Sequence, residues 1–247
     1  MFWFESTAFI LGKNPKTAMA KNPKNTGTLL DSLDALIAQH HLMKHPFHRA
    51  WVEGRLSRES LQLYAEQCYL HIRAYPENLR VFAGRAPGSL AKLVEDNLAD
   101  ELDPAAPHPQ LWRQFALAVG VSEAEIEGAR PLPGIAALLD TFDEIVSQGA
   151  LPEAVASLYA FEAQAPELCT QQIAGLRRFY GITEPPALAY FSVHEEADVR
   201  HRAAWRGWLA QQNEADSFTV LFAAERSLKA QWGALDAVYP LVFAAKN

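Results

Sequence analysis

Apolar residues recur at intervals of three and four along most of the chain, the spacing that lays one face of an α-helix against a core. From 28 to 45 the positions Leu29, Leu30, Leu33, Leu36, Ile37 and Leu42 follow it, with Thr28 or Asp31 available near the start as a cap. Ser57 opens a second long helix through Leu61, Tyr64, Ala65, Cys68, Tyr69 and Ile72, and Pro76 predicts a kink or short break before 79–82 resumes it. A third helix covers 89–101 and stops at Asp103-Pro104 and Pro107; His108-Pro109 leads into a fourth through Leu111, Trp112, Phe115 and Leu117. Ser122 caps a short acidic helix and 130–134 is a loop. Segments 135–146 and 152–180 are further helices, the latter interrupted at Pro166. Pro185-Pro186 starts another, and Asp216-Ser217 caps a last one ending near Tyr239-Pro240. Strand-type alternation is nearly absent. The pattern predicts an all-α, single-domain helical bundle of about seven to nine helices joined by short loops.

Residues 1–27 stand apart. Met1 to Leu11 is mildly apolar, and 12–27 is rich in Lys, Asn, Pro and Thr without periodicity. That stretch is expected to be a disordered extension, with Met19 an alternative start, leaving 28–247 as the folded domain. A hydrophobic content of 49% with 21% charged residues is ordinary for a soluble globular chain of 247 residues. The net charge of −7 argues against nucleic acid or an anionic membrane surface as partner, since either needs a basic patch. No stretch approaches the roughly 20 apolar residues of a membrane span. Cys68 and Cys169 cannot build a disulfide framework, and neither a CxxC nor a secretory signal is present. A reduced, cytoplasmic protein is the expectation.

The chemistry concentrates in His194-Glu195-Glu196-Ala197-Asp198-Val199-Arg200-His201. At 3.6 residues per turn, His194, Asp198 and His201 fall within roughly 60° of one another on a helix, so two imidazoles and a carboxylate point the same way. Such a stripe is costly to bury unless a cation sits among the three. It is equally compatible with ordinary polar-face residues making i,i+3 and i,i+4 contacts. Elsewhere, Glu162 is a lone acid in the apolar run Leu158-Tyr159-Ala160-Phe161, and Pro166 four residues on has no N–H for its carbonyl. Glu101 closes one predicted helix and His108 opens the next; alone, that pair reads as a solvent-facing loop.

Taken together, Glu101 with His108 seven residues on, Glu162, and His194-x3-Asp198-x2-His201 resemble the six-ligand signature of the haem-oxygenase-like dimetal oxidases. The likeness is greatest to the CADD family, named for the chlamydial protein associating with death domains and related to the pyrroloquinoline-quinone synthesis protein C and thiaminase II. It runs from about Leu30 to about Tyr239, and Leu61-Gln62-Leu63-Tyr64-Ala65, Tyr69-Leu70-His71-Ile72 and Tyr190-Phe191 also resemble that family. The resemblance implies two metal ions, iron or iron plus manganese, bound by Glu101, His108, Glu162, His194, Asp198 and His201, with O2 as co-substrate. Three carboxylates and three imidazoles suit such ions, and either Glu101 or Glu162 could bridge them.

CADD-type proteins are associated with making p-aminobenzoate for folate by cleaving one of their own tyrosines and taking nitrogen from a lysine. Here the tyrosine position falls on His48 and the lysine position on Gln172. An imidazole does not supply the ring of p-aminobenzoate, and an amide is not an amine donor. Three readings follow: Tyr64 or Tyr69 is oxidised instead, the substrate is a free small molecule, or His48 serves as a further ligand or an acid/base. All three residues are candidate cavity residues. The cysteines allow a thiaminase-like nucleophile, although buried structural cysteine is commoner. Trp205, Trp208 and Trp232 are expected in the core or a subunit interface, Arg200 and Arg202 in surface ion pairs, and the molecule as a homodimer. Two other classes compete: a metal-free enzyme of the thiaminase or quinone-synthesis type, and a non-catalytic protein-binding module. Neither needs six metal-type ligands.

Overall fold

The computed structural model describes residues 28–212 and 217–244, and side chains up to residue 239. The expectations for 1–27 and for Asp216 as a cap lie outside the described residues. Among those described, eleven α-helices and one 3-10 turn account for the regular structure, with no strand.

Local chemistry sets most of the helix ends. Helix α1 (Leu29–Gln39) starts at a reciprocal cap in which Asp31 N–H donates to Thr28 Oγ1 and Thr28 N–H donates to Asp31 Oδ2. A 3-10 turn (Leu42–Lys44) follows, then α2 (Pro46–Val52), whose first residue is a proline that loses nothing at that position. The sequence reading missed α2 because seven residues carry too little periodicity. Helix α3 (Arg58–Ala83) begins at Ser57 and runs unbroken through Pro76, where a kink or break is predicted. Tyr75, Leu79 and Phe82 are buried on both sides of the proline. Their packing outweighs the missing backbone donor.

Helix α4 (Gly88–Glu101) ends on a candidate ligand and α5 (His108–Val119) begins on another. Helix α6 (Glu123–Gly128) carries the Ser122–Glu125 capping box, and α7 (Pro133–Gln148) follows. The predicted helix over 152–180 is two: α8 (Leu151–Glu162) and α9 (Ala165–Phe179), with Pro166 in the first turn of α9. The break falls at Ala163-Gln164, two residues ahead of the expected interruption at Pro166. Helix α10 (Pro185–Leu209) carries the octapeptide; α11 (Ser217–Ala244) continues past the predicted stop at Tyr239-Pro240. The helix count slightly exceeds the prediction because of α2 and the split at 163–164.

Helix α11 packs along α7 and α8, α10 along α5, α8 and α9, and α3 along α4, α5 and α7. One apolar cluster gathers Leu33, Leu79, Phe82, Phe142, Leu158 and Trp205, the other Phe47, Trp51, Phe115, Trp112, Leu176 and Phe191. The candidate site lies where α4, α5, α8 and α10 meet. Among the described residues no helix is long and apolar enough to cross a membrane.

Candidate metal centre

The six sequence-identified residues assemble into two groups of three. Glu101, His108 and His194 form one, Glu162, Asp198 and His201 the other; within each, one ligand-type atom per residue lies within 4.8 Å of the other two. All six are buried. Helix α10 serves both groups, because His194 and His201 are seven residues apart, about two turns along one face.

In the first group Glu101 Oε2 is 3.0 Å from His108 Nδ1, and Glu101 Oε1 is 3.9 Å from His194 Nε2. His194 Nδ1 sits 2.7 Å from the Tyr190 carbonyl one turn back. A carbonyl only accepts, so Nδ1 carries the proton and Nε2 faces Glu101 with its lone pair. In the second group His201 Nδ1 is 3.3 Å from Asp198 Oδ1 and 3.9 Å from Glu162 Oε1. Its Nε2 lies 2.9 Å from Asp100 Oδ2, and a neutral ring that donates there presents the Nδ1 lone pair to the inner side. Asp100 is also paired with Arg200 at 3.0 Å. The role of Asp100 was not read from the sequence, since only the fold brings positions 100 and 201 together.

Glu162 is the most constrained of the six. Tyr75 Oη and Asn97 Nδ2 donate to its Oε1 at 2.6 and 2.7 Å, and Trp205 Nε1 donates to Oε2. Burial, then repulsion from Asp198, push its carboxyl up to about 7. Burial alone would lower His201, but Asp198, Glu162 and Asp100 outweigh it and push the imidazole up to about 9. Glu101 feels the same burial, outweighed by His108, His194 and His201, which hold it below the usual carboxylate range. Three buried carboxylates crowd the site and call for positive charge.

Two orphaned atoms test whether a metal fits. His108 Nδ1 and His201 Nδ1 are buried without a hydrogen-bond partner despite carboxylate oxygens at 3.0 and 3.3 Å. Each nitrogen and its neighbouring oxygen are near but not aligned with one another, as donor atoms around a shared ion are. The two buried carboxylate–imidazole groups fit a dimetal site.

A cavity of about 110 Å3 adjoins the ligands, lined by Glu101, Glu162, His194 and Asp198 among others. Two of the three candidate cavity residues, His48 and Tyr64, line it, as does Gln172, whose Nε2 donates to Tyr64 Oη at 3.1 Å. Tyr69 does not. Its hydroxyl accepts from Arg113 at 3.4 Å, and its ring lies under Arg73 and Arg113. Five residues along a helix turn Tyr69 about 140° from Tyr64, whereas Cys68, His71, Ile72 and Tyr75 stay on the cavity face. That period would have found His71 and Tyr75 and excluded Tyr69. Both cysteines line the cavity, and burial pushes the Cys68 thiol up to about 12 and that of Cys169 well above its ordinary value, leaving both as poor nucleophiles. Trp205 is fully buried, Trp232 Nε1 donates to the His40 carbonyl, and Arg202 pairs with Glu167.

Known proteins agree with this architecture. The pattern of iron-containing redox enzymes matches residues 62–232. A 4-aminobenzoate synthase of Chlamydia muridarum is 39% identical over 84% of this chain and 88% of its own length. Another 4-aminobenzoate synthase, of Nitrosomonas europaea, is 35% identical over 87% of this chain and 92% of its own. Among solved structures, a domain with a heme oxygenase-like fold from Shewanella denitrificans superposes with a TM-score of 0.75 at 16% identity, covering 89% of this chain and 94% of that one. The chain belongs to the haem-oxygenase-like family of iron-containing redox enzymes.

Proposed function

We propose that this protein is an O2-dependent oxidase of p-aminobenzoate formation holding two metal ions, iron at both positions or iron with manganese. Glu101, His108 and His194 would hold one, and Glu162, Asp198 and His201 the other. The observation that carries this reading is the pair of buried three-ligand groups adjoining one cavity. The place in p-aminobenzoate formation rests on the two relatives named 4-aminobenzoate synthase.

When bound, the ions supply the electrons that reduce O2. The chain's own residues orient and insulate. The Tyr190 carbonyl and Asp100 fix the tautomers and ring angles of His194 and His201. Tyr75, Asn97 and Trp205 hold the Glu162 carboxylate in one orientation. Apolar side chains such as Leu42, Ile72, Leu138 and Leu168 keep the cavity wall from water.

With His48 and Gln172 at the family tyrosine and lysine positions, the oxidised group is a small molecule from outside or Tyr64, which lines the cavity wall and accepts a hydrogen bond from Gln172. The first test is elemental analysis of anaerobically purified protein, then exposure to O2 and mass spectrometry of the intact chain and of released small molecules. About two transition-metal ions per chain support the proposal. An unchanged chain then identifies an outside substrate, and a mass loss at Tyr64 a self-consuming reaction. No metal, with function retained after all six ligands are replaced, would sink it.

A further inference from the structure

Away from the metal ligands, the cavity wall carries two histidines with nothing to bond. His48 on α2 and His71 on α3 are 1% and 4% exposed, both line the cavity, and neither ring nitrogen of either has a hydrogen-bond partner. Of the buried side-chain nitrogens and oxygens without partners among the described residues, these four are half. Two of the rest belong to the ligands His108 and His201. A buried imidazole left without partners is costly, so an arrangement with two on one wall is expected to satisfy them with something that enters. Gln172 and Tyr64 on the same wall bond each other through the Gln172 amide. They compete less for a guest.

We propose that the cavity takes an uncharged, single-ring molecule from outside the chain, bearing a hydroxyl or amino group that His48 and His71 hydrogen-bond while the ring is presented to the metal ligands. The inference rests on the dimetal reading for its consequence, though not for the binding itself. Size and lining support the class. The cavity, about 110 Å3, is of the order of the ~150 Å3 apolar cavity that admits benzene, and its wall includes the aromatic rings of Tyr64, Trp112 and Phe161. A neutral imidazole offers one donor and one acceptor, which a hydroxyl or amine matches and a hydrocarbon does not. Burial pushes His48 down to about 3, aided by His45 and His41, and His71 down to about 4 against the pull of Glu101. Both rings are therefore neutral near pH 7, and a carboxylate gains no cation from them.

Phenol, aniline, toluene and benzoate titrated under nitrogen into the full-length protein, before and after metal removal by chelation, test this directly. Phenol and aniline are expected to bind about tenfold or more tightly than toluene in both forms, with benzoate weakest in the metal-free form. In protein labelled with 15N-histidine, phenol should shift the His48 and His71 ring signals and toluene should not. His48→Gln, which keeps a donor and an acceptor, should retain the preference, and His48→Phe should lose it. Equal binding of phenol and toluene, unmoved histidine signals in the wild-type chain, or tighter binding of benzoate to the metal-free form would each overturn the proposal. A phenol preference in a chain that takes up no metal would leave it standing while defeating the dimetal reading.

Discussion

Replacing Asp100 tests how the second ligand group is held. Asp100 Oδ2 accepts a hydrogen bond from His201 Nε2 at 2.9 Å, which turns His201 Nδ1 toward Asp198 and Glu162. Removing such an outer partner lowers metal affinity by about 10- to 100-fold. The lower end applies here, because the Asp100 side chain is 43% exposed and water can take its place. Asp100→Ala should therefore weaken one of the two sites about tenfold, near 1.4 kcal/mol. The site of Glu101, His108 and His194 lacks this contact and should be far less affected. Arg200→Ala removes the surface pair with Asp100 but not the imidazole contact, and should change little. Loaded proteins would be challenged with graded chelator, desalted and assayed for metal per chain, with circular dichroism to confirm folding. For Asp100→Ala, half the metal should leave at about tenfold lower chelator activity than in the wild type. Identical release curves, or an equal effect of Arg200→Ala, would refute the orienting role.

Acid should unfold the protein partly through its buried histidines. A folded-state value depressed to about 3 means that His48 stabilises fully above the unfolded value near 6.5 and loses that contribution as pH falls below it. Between pH 7 and 5 this amounts to about 2 kcal/mol, so His48→Phe should shift the acid-unfolding midpoint downward in a circular-dichroism titration. Where α7 crosses α11, a Cβ on Gly134 would stand 2.3 Å from the Gly233 carbonyl oxygen. Gly134→Ala should cost about 2 kcal/mol in urea denaturation. Gly233→Ala, whose Cβ meets nothing within 4 Å, should be neutral or stabilising by up to about 1 kcal/mol. Tyr69→Phe should leave metal content and turnover unchanged by elemental analysis and product assay, whereas a loss of turnover with metal intact would return Tyr69 to the reaction.

Helical periodicity carries much of this in the sequence itself. The stripe of His194, Asp198 and His201 depends only on 3.6 residues per turn, and Glu162 stands out as a single acid in an apolar run. Glu101 and His108 became interpretable because prolines place one at a helix end and the other at the next helix start. What stayed hidden depends on distant pairing or on competition between local and tertiary terms. Asp100 meets His201 across 101 positions, and Asn97 and Trp205 reach Glu162 from separate helices. Pro76 is a breaker by local rule, but burial on either side overrides it. The cavity face of α3 could have been read by extending the period from Tyr64 to Cys68, His71 and Tyr75, which sets Tyr69 aside.

The ligands and the cavity wall come largely from different helices. Glu101, His108, Glu162 and the α10 trio belong to α4, α5, α8 and α10, while His48, His71 and Gln172 project from α2, α3 and α9. Residue changes on the second set can alter the cavity's shape and polarity without displacing a ligand-bearing backbone. The scaffold is modular in this sense: the reagent can be inherited intact while the clientele changes. His48 and Gln172 belong to that second set, where a change of side chain retunes the pocket and leaves the ligand-bearing helices in place.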